Sequence, residues 1–264
     1  MGEVIVITSG KGGVGKTTTT ANIGTGLAAT GKKVCLVDTD IGLRNLDVVL
    51  GLENRIVYDI VDVTSGVCRI RQALIKDKRF EGLHLLPAAQ TKDKTAVNPE
   101  QMMVLCEELK KEFDFVIIDC PAGIEQGFKN AIAGADRAIV VTTPEVSAVR
   151  DADRIIGLLE AAELRDPKLI INRLRPKMVK HGDMMSIDDM IEILAIDLLG
   201  VVPEDDQVVV TTNKGETVVR DEKSQSGQAY RNITRRILGE SVPLMNLEEP
   251  GGFINTLRRM IGLK

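Results

Sequence analysis

The apolar positions of this chain fall into two textures that alternate along it. Short continuous runs rich in Val and Ile occupy residues 4–7, 34–37, 83–86, 115–118, 136–141, 168–171 and 198–202. Between several of them, apolar residues recur at three- and four-residue spacing, as an amphipathic helix requires. Such helices are predicted at 17–29, with Ile23 and Leu27 on one face, and at 98–113, 145–162 and 224–238. Asn98 before Pro99 is a helix-start signal, and Thr30-Gly31 is a helix-end signal. Residues 46–79 are more broken: short helices and loops whose Ile56, Val57, Ile60, Val61, Ile70, Leu74 and Ile75 supply packing.

Continuous apolar character is what a strand covered on both faces needs, since neither face can be polar. Roughly six buried parallel strands alternating with helices predict an α/β fold with a doubly wound, mostly parallel sheet. His84 lies inside one of the runs and is expected to be structural.

Composition narrows the class. With 264 residues, 44% hydrophobic and 27% charged, the chain is ample for one large domain. Its net charge of −4 offers no overall basic footprint for nonspecific nucleic-acid binding, so no specific nucleic-acid partner is expected. Cys35, Cys68, Cys106 and Cys120 show no C-x-x-C or His–Cys ligand spacing, which favours reduced, mostly buried thiols in a cytosolic setting. The chain opens directly on a strand and contains no apolar run of membrane-spanning length, so neither secretion nor a membrane span is expected.

The chemistry concentrates after the first strand. Gly10-Lys11-Gly12-Gly13-Val14-Gly15-Lys16-Thr17-Thr18 leads from it into a helix. The glycines remove side chains so that backbone N–H groups can face phosphate oxygens, and the helix start adds its positive end. Lys16 would reach the outer phosphates, and the Thr17 hydroxyl would hold Mg²⁺ of a bound ATP. Lys11 adds a second ammonium beside Lys16, where like charges repel unless phosphate lies between them; otherwise it is a solvated loop lysine.

Carboxylates stand at the C-terminal ends of two further strands, where ligands bind in open α/β sheets. Asp38-Thr39-Asp40 ends one, and Asp119-Cys120-Pro121-Ala122-Gly123 ends another. Asp119 suits a Walker B role on the Mg²⁺ shell, and Gly123 would let a backbone N–H approach the γ-phosphate. Pro203, Glu204 and Asp205, after the last strand, are placed beside the nucleotide base.

These three elements, in this order, resemble the deviant Walker A ATPases of the MinD/ParA family, and over essentially the whole chain the similarity is to its MinD branch. The resemblance implies that Lys11 crosses a dimer interface to the partner's ATP. It places Asp38 in the Mg²⁺ and phosphate environment and gives Asp40 the attacking water. Asp38, Asp40, Asp119 and Gly123 become switch residues, with Lys11, Lys16 and Asp40 catalytic. It also implies that Asn172 and Arg173 meet adenine, and that Arg44, Asn45, Asp151 and Asp153 lie near a partner surface. The implied partners are a second copy, the division inhibitor MinC and, where present, the topological regulator MinE.

The chain is therefore divided into an ATPase domain, 1–240, a Pro/Gly-marked linker, 241–252, and a terminal helix, 253–264. In that helix Phe253, Ile254, Leu257, Met260 and Ile261 share one side, opposite Arg258 and Arg259, with no carboxylate. This is the pattern of an interfacial helix on anionic lipid, although docking of the stripe on the domain would use it too. The expected location is the cytoplasm and the inner face of the cytoplasmic membrane, as a peripheral protein. The competing reading is a ParA-type ATPase that partitions DNA or other cargo.

Overall fold

The computed structural model describes residues 2–247. Among them eight strands form one sheet: β1 (Glu3–Thr8), β2 (Val34–Asp38), β3 (Ile75–Lys76), β4 (Leu83–Leu86), β5 (Phe115–Asp119), β6 (Arg137–Thr142), β7 (Lys168–Leu174) and β8 (Leu198–Pro203). The helices are α1 (Lys16–Ala29), α2 (Leu46–Val49), α3 (Ile60–Thr64), α4 (Ile70–Ala73), α5 (Pro99–Leu109), α6 (Gln126–Ala133), α7 (Val146–Ala161), α8 (Pro176–His181), α9 (Ile187–Leu194), α10 (Asp206–Thr212) and α11 (Gln225–Ile237). The spatial order is β3-β4-β2-β5-β1-β6-β7-β8. Neighbours run parallel except β3, which is antiparallel to β4.

Both faces of the sheet are covered, which is why the central strands are apolar along their middles and polar mainly at their ends. In β1, Val4 and Val6 enter the core under α5 and α7, while Ile5 and Ile7 enter the one under α1 and α11. All four are fully buried, so truncation of any one to Ala costs about 2–5 kcal/mol. The second face is unusually tight where α1 crosses α11. A Cβ on Gly26 would stand 2.4 Å from the Thr234 hydroxyl.

The chain crosses from β5 to β6 over the central β1, so the loops after β1 and β5 open into one crevice at the C-terminal ends of the strands. Ligands of doubly wound sheets bind at such a point.

The expected doubly wound sheet is present, with differences at its margins. Ile75 belongs to the antiparallel edge strand β3 rather than to broken helix. The 98–113 helix ends at Leu109, although Asn98 does cap it, accepting from the Gln101 N–H at 2.9 Å. The short α6, α8 and α10 carry too few periodic residues to be predicted; α9 is absent from the prediction although Ser186 caps it and Ile187, Met190, Ile191 and Leu194 stand at helical spacing. His84 packs edge-on against Phe113, 5.3 Å between centroids, and burial holds its imidazole below the ordinary pKa. All four cysteines are free, and Cys35, Cys106 and Cys120 are buried. No helix among the described residues is long and apolar enough to cross a membrane.

Residues 241–247, the beginning of the proposed linker, are fastened to the domain. The Arg236 guanidinium donates to the Val242 and Pro243 carbonyls at 2.9 and 2.8 Å, and Leu247 packs on the core.

Candidate functional site

The loop after β1 is shaped by its glycines. Gly13 and Gly15 have φ of 81° and 97°, which side-chain-bearing residues rarely adopt. Gly15 is also the N-cap of α1, so this 14-residue helix starts with no side-chain cap and no acidic residue in its first turn. Its leading N–H groups keep their positive end open to an anion. Gly10 has a different reason to be glycine: a Cβ there would stand 2.2 Å from the Asp151 carbonyl oxygen, so the loop rests directly on α7.

Lys16 is buried, and its ammonium donates to the Ser9 hydroxyl at 2.9 Å. Ser9 in turn donates to the Lys11 carbonyl at 2.8 Å and so fixes the start of the loop. An ammonium carries three N–H groups, and two remain for phosphate oxygens. Lys11 does not stand beside Lys16. It turns to the start of α7, donating to the Ser147 hydroxyl at 3.2 Å, with Glu145 at 3.8 Å. The two ammonium groups thus have separate partners, Ser147 for Lys11 and Ser9 for Lys16.

Asp38 and Asp119 end adjacent strands and are register partners, both buried. The Asp38 carboxylate accepts from the N–H groups of Asp40 at 2.9 Å, Asn45 at 3.3 Å and Leu46 at 3.2 Å. Asp119 accepts from the Thr20 hydroxyl at 3.1 Å and is helped by Thr17. Burial pushes both carboxyl groups above the ordinary carboxylate range. The Asp40 and Leu46 amides oppose the rise at Asp38. At Asp119 the neighbouring Asp38 charge adds to it, against Thr17 and Lys16. Two buried carboxylates that resist joint ionisation, beside a threonine hydroxyl, are a donor set that a hard divalent cation fits. Thr17, Asp38 and Asp119 are the residues that would hold Mg²⁺.

The two switch candidates are joined at their roots. Thr39 donates to the Asp119 carbonyl through its hydroxyl, at 2.7 Å, and its N–H, at 3.2 Å. Asp40 is half-buried and opens a turn closed by the Leu43 and Arg44 N–H groups on its carbonyl. Gly123 has φ of 94° in the loop after β5, and a Cβ there would meet nothing within 4 Å.

On the base side, Asn172 is buried at a bulge of β7, and the following Arg173 has φ of 55°. The Asn172 amide donates to the Val14 carbonyl at 2.8 Å, tying this position to the phosphate loop. Glu204 is engaged by Arg175, and Asp205 caps α10 while accepting from Ser224 at 2.6 Å. The Pro203 carbonyl accepts from Ser226 at 2.8 Å. These three residues are thus held as a fixed wall. Beside it a cavity of about 780 Å³ opens among Thr143, Arg173, Arg175, Met178 and Glu204.

Arg44 and Asn45 lie on the turn leading from Asp40, and Asp151 and Asp153 on α7, with Asn45 and Asp153 exposed. Phe253, Ile254, Leu257, Arg258, Arg259, Met260 and Ile261 lie outside the described residues. Ser9, Thr20, Thr39 and Ser147 support the site without being marked by the sequence pattern. Ser9, next to the loop, Thr20, one helical turn past Lys16, and Thr39, between Asp38 and Asp40, carry a positional hint; Ser147 carries none.

With this geometry in place, likeness to known proteins becomes informative. Residues 2–171 match the AAA domain family. The chain is 64% identical over 267 residues to the septum site-determining protein MinD of Bacillus subtilis (strain 168), covering 100% of both. Among solved structures it is similar to that of the MinC:MinD cell division protein complex of Aquifex aeolicus, at 52% identity and a TM-score of 0.87, covering 92% of this chain and 99% of that one. It is also similar to septum site-determining protein MinD complexed with Mg-ADP from Pyrococcus horikoshii OT3, at 29% identity and a TM-score of 0.82, covering 96% and 98%.

Proposed function

The chain belongs to the MinD family of septum site-determining ATPases, and from that premise we propose how its own residues run the cycle. The observation that carries the reading is the buried Asp38–Asp119 pair beside Lys16 and the uncapped start of α1. The loop amides from Gly10 to Thr18 and the Lys16 ammonium bind the ATP phosphates, while Asn172, Arg173 and the 203–205 wall border the base. Mg²⁺, when bound, offsets the charge shared by the β and γ phosphate oxygens.

Asp40 orients a water for in-line attack on the γ-phosphorus. The new P–O bond forms as the bond to the bridging oxygen breaks, giving ADP and inorganic phosphate. Lys11 leaves Ser147 and Glu145 and reaches the ATP of a second copy, so that dimerisation depends on ATP. Loss of the γ-phosphate releases the segments at Asp40 and Gly123.

The dimer presents two terminal segments to one anionic membrane. A single short helix holds weakly, and a paired one gains from the high effective concentration of the second. Arg44, Asn45, Asp151 and Asp153 border the surface that recruits the division inhibitor MinC; the Aquifex complex supports this partner. A topological regulator such as MinE would act on the same dimer to speed hydrolysis and release. The protein is then cytoplasmic when monomeric and peripheral at the inner membrane surface when dimeric.

Two variants test the assignment through nucleotide binding, dimer formation and phosphate release. Lys16→Ala is expected to lose productive ATP binding and with it the dimer. Asp40→Ala is expected to bind ATP and dimerise but hydrolyse about 100-fold more slowly. Rapid phosphate release from Asp40→Ala removes Asp40 from the mechanism, and normal turnover in Lys16→Ala removes the loop.

A further inference from the structure

Asp47 is fully buried in the first turn of α2, and neither of its carboxylate oxygens makes a well-formed hydrogen bond among the described residues. Its ionic partner is Arg44, whose Nε lies 2.9 Å away. Burying this carboxylate is costly; the Arg44 charge is its largest compensation, and the Val48 and Asp47 N–H groups add to it. Arg44 itself stands at φ 25°, a left-handed conformation that a bulky L-residue adopts only when its surroundings impose it. The ion pair and the strained backbone occupy one four-residue stretch, and Asp47 lies in the first turn of the short α2.

The two ends of this stretch are held differently. Its start depends on Asp38, whose carboxylate accepts from the N–H groups of Asp40, Asn45 and Leu46. Beyond α2, the Arg79 guanidinium donates to the Leu50 and Gly215 carbonyls, both at 2.6 Å, and pairs with the buried Asp77 at 2.7 Å. The far end is therefore fixed. The near end is held by lone pairs that Mg²⁺ would draw on.

We propose that Asp47 is a positioning residue that acts through Arg44: the pair is a catch that keeps the Asp40-bearing turn strained at rest and must open when Mg-nucleotide takes over Asp38. Opening lets Arg44 return to an ordinary backbone conformation and turns its guanidinium, now only partly exposed, outward to the partner surface. The catch thus sets how much ATP is needed before the turn rearranges. This rests on the ATP-switch reading above.

The test uses the full chain and two variants that break the pair from opposite sides, Asp47→Asn and Arg44→Gln; Asp47→Asn leaves no buried charge and covers a failure of Arg44→Gln to fold. Amide hydrogen exchange of residues 40–46 is measured without nucleotide. The ATP concentration giving half-maximal dimer is measured by light scattering. Both variants are expected to exchange faster at 40–46, on the order of tenfold, and to dimerise at several-fold lower ATP. Unchanged exchange overturns the catch. Faster exchange with an unchanged or raised ATP requirement overturns it as well, because the pair would then only stabilise the fold. Wild-type protein that never dimerises with ATP contradicts the switch reading instead, and the nucleotide-free exchange still decides whether the pair restrains the turn.

Discussion

Thr20 lies one helical turn beyond Lys16, and its hydroxyl lies within hydrogen-bond reach of both the Lys16 carbonyl, at 3.0 Å, and the Asp119 carboxylate, at 3.1 Å. It touches no substrate, yet it orients the carboxylate that would hold Mg²⁺. Groups that orient a metal ligand typically matter about 10- to 100-fold for metal affinity. Thr20→Val keeps the shape and removes the donor, so the Mg²⁺ concentration for half-maximal hydrolysis is expected to rise about tenfold with ATP binding retained. An unchanged Mg²⁺ requirement in a folded variant would take Thr20 out of the site. Ser9 and Thr39 also position the site through hydroxyls, Ser9 between Lys16 and the Lys11 carbonyl and Thr39 on the Asp119 carbonyl. Glycines were legible because a phosphate loop needs their backbone freedom. Hydroxyls such as that of Thr20 were not, because their partners stand 99 residues away in sequence and meet them only in the fold.

Among the elements, α1 carries the nucleotide end and α11 the tail end of the described chain, and they cross where Gly26 meets Thr234. Helical glycine normally costs about 0.5–1 kcal/mol relative to alanine. At Gly26 the sign reverses: Gly26→Ala forces a Cβ to 2.4 Å from the Thr234 hydroxyl and is expected to lower stability by about 1–3 kcal/mol. Gly157, in α7, has nothing within 4 Å of that position, so Gly157→Ala is expected to raise stability by about 0.5–1 kcal/mol. Thermal or urea unfolding of the two variants checks both signs, and a destabilised Gly157→Ala with an unaffected Gly26→Ala would contradict the packing. The long periodic helices were legible for the reason that fails here: α8 and α10 are too short to show a period, and β3 has two residues. Their existence is decided by what they cover.

For the molecule as a whole, the doubly wound sheet followed from its uninterrupted apolar strands, and the order of its three phosphate-site elements followed from the strand ends. Pattern alone did not show the contacts Lys11 makes within its own chain, with Ser147 and Glu145 at the start of α7. That helix then holds the resting lysine at its first turn and supports the phosphate loop at Asp151, one turn further on. A partner bound at Asp151 and Asp153 would therefore act close to both ends of the phosphate site. At the same scale, Arg236 ties the chain down at Val242 and Pro243, so the described residues stay fastened to the domain past the end of α11. The central claim is that ATP state governs membrane occupancy through that helix. Co-sedimentation with vesicles of anionic phospholipid tests it most directly, comparing ATP with ADP and the full chain with one ending before Phe253. The account predicts pelleting with ATP and the full chain alone; pelleting that ignores either the nucleotide or the loss of residues 253–264 contradicts it.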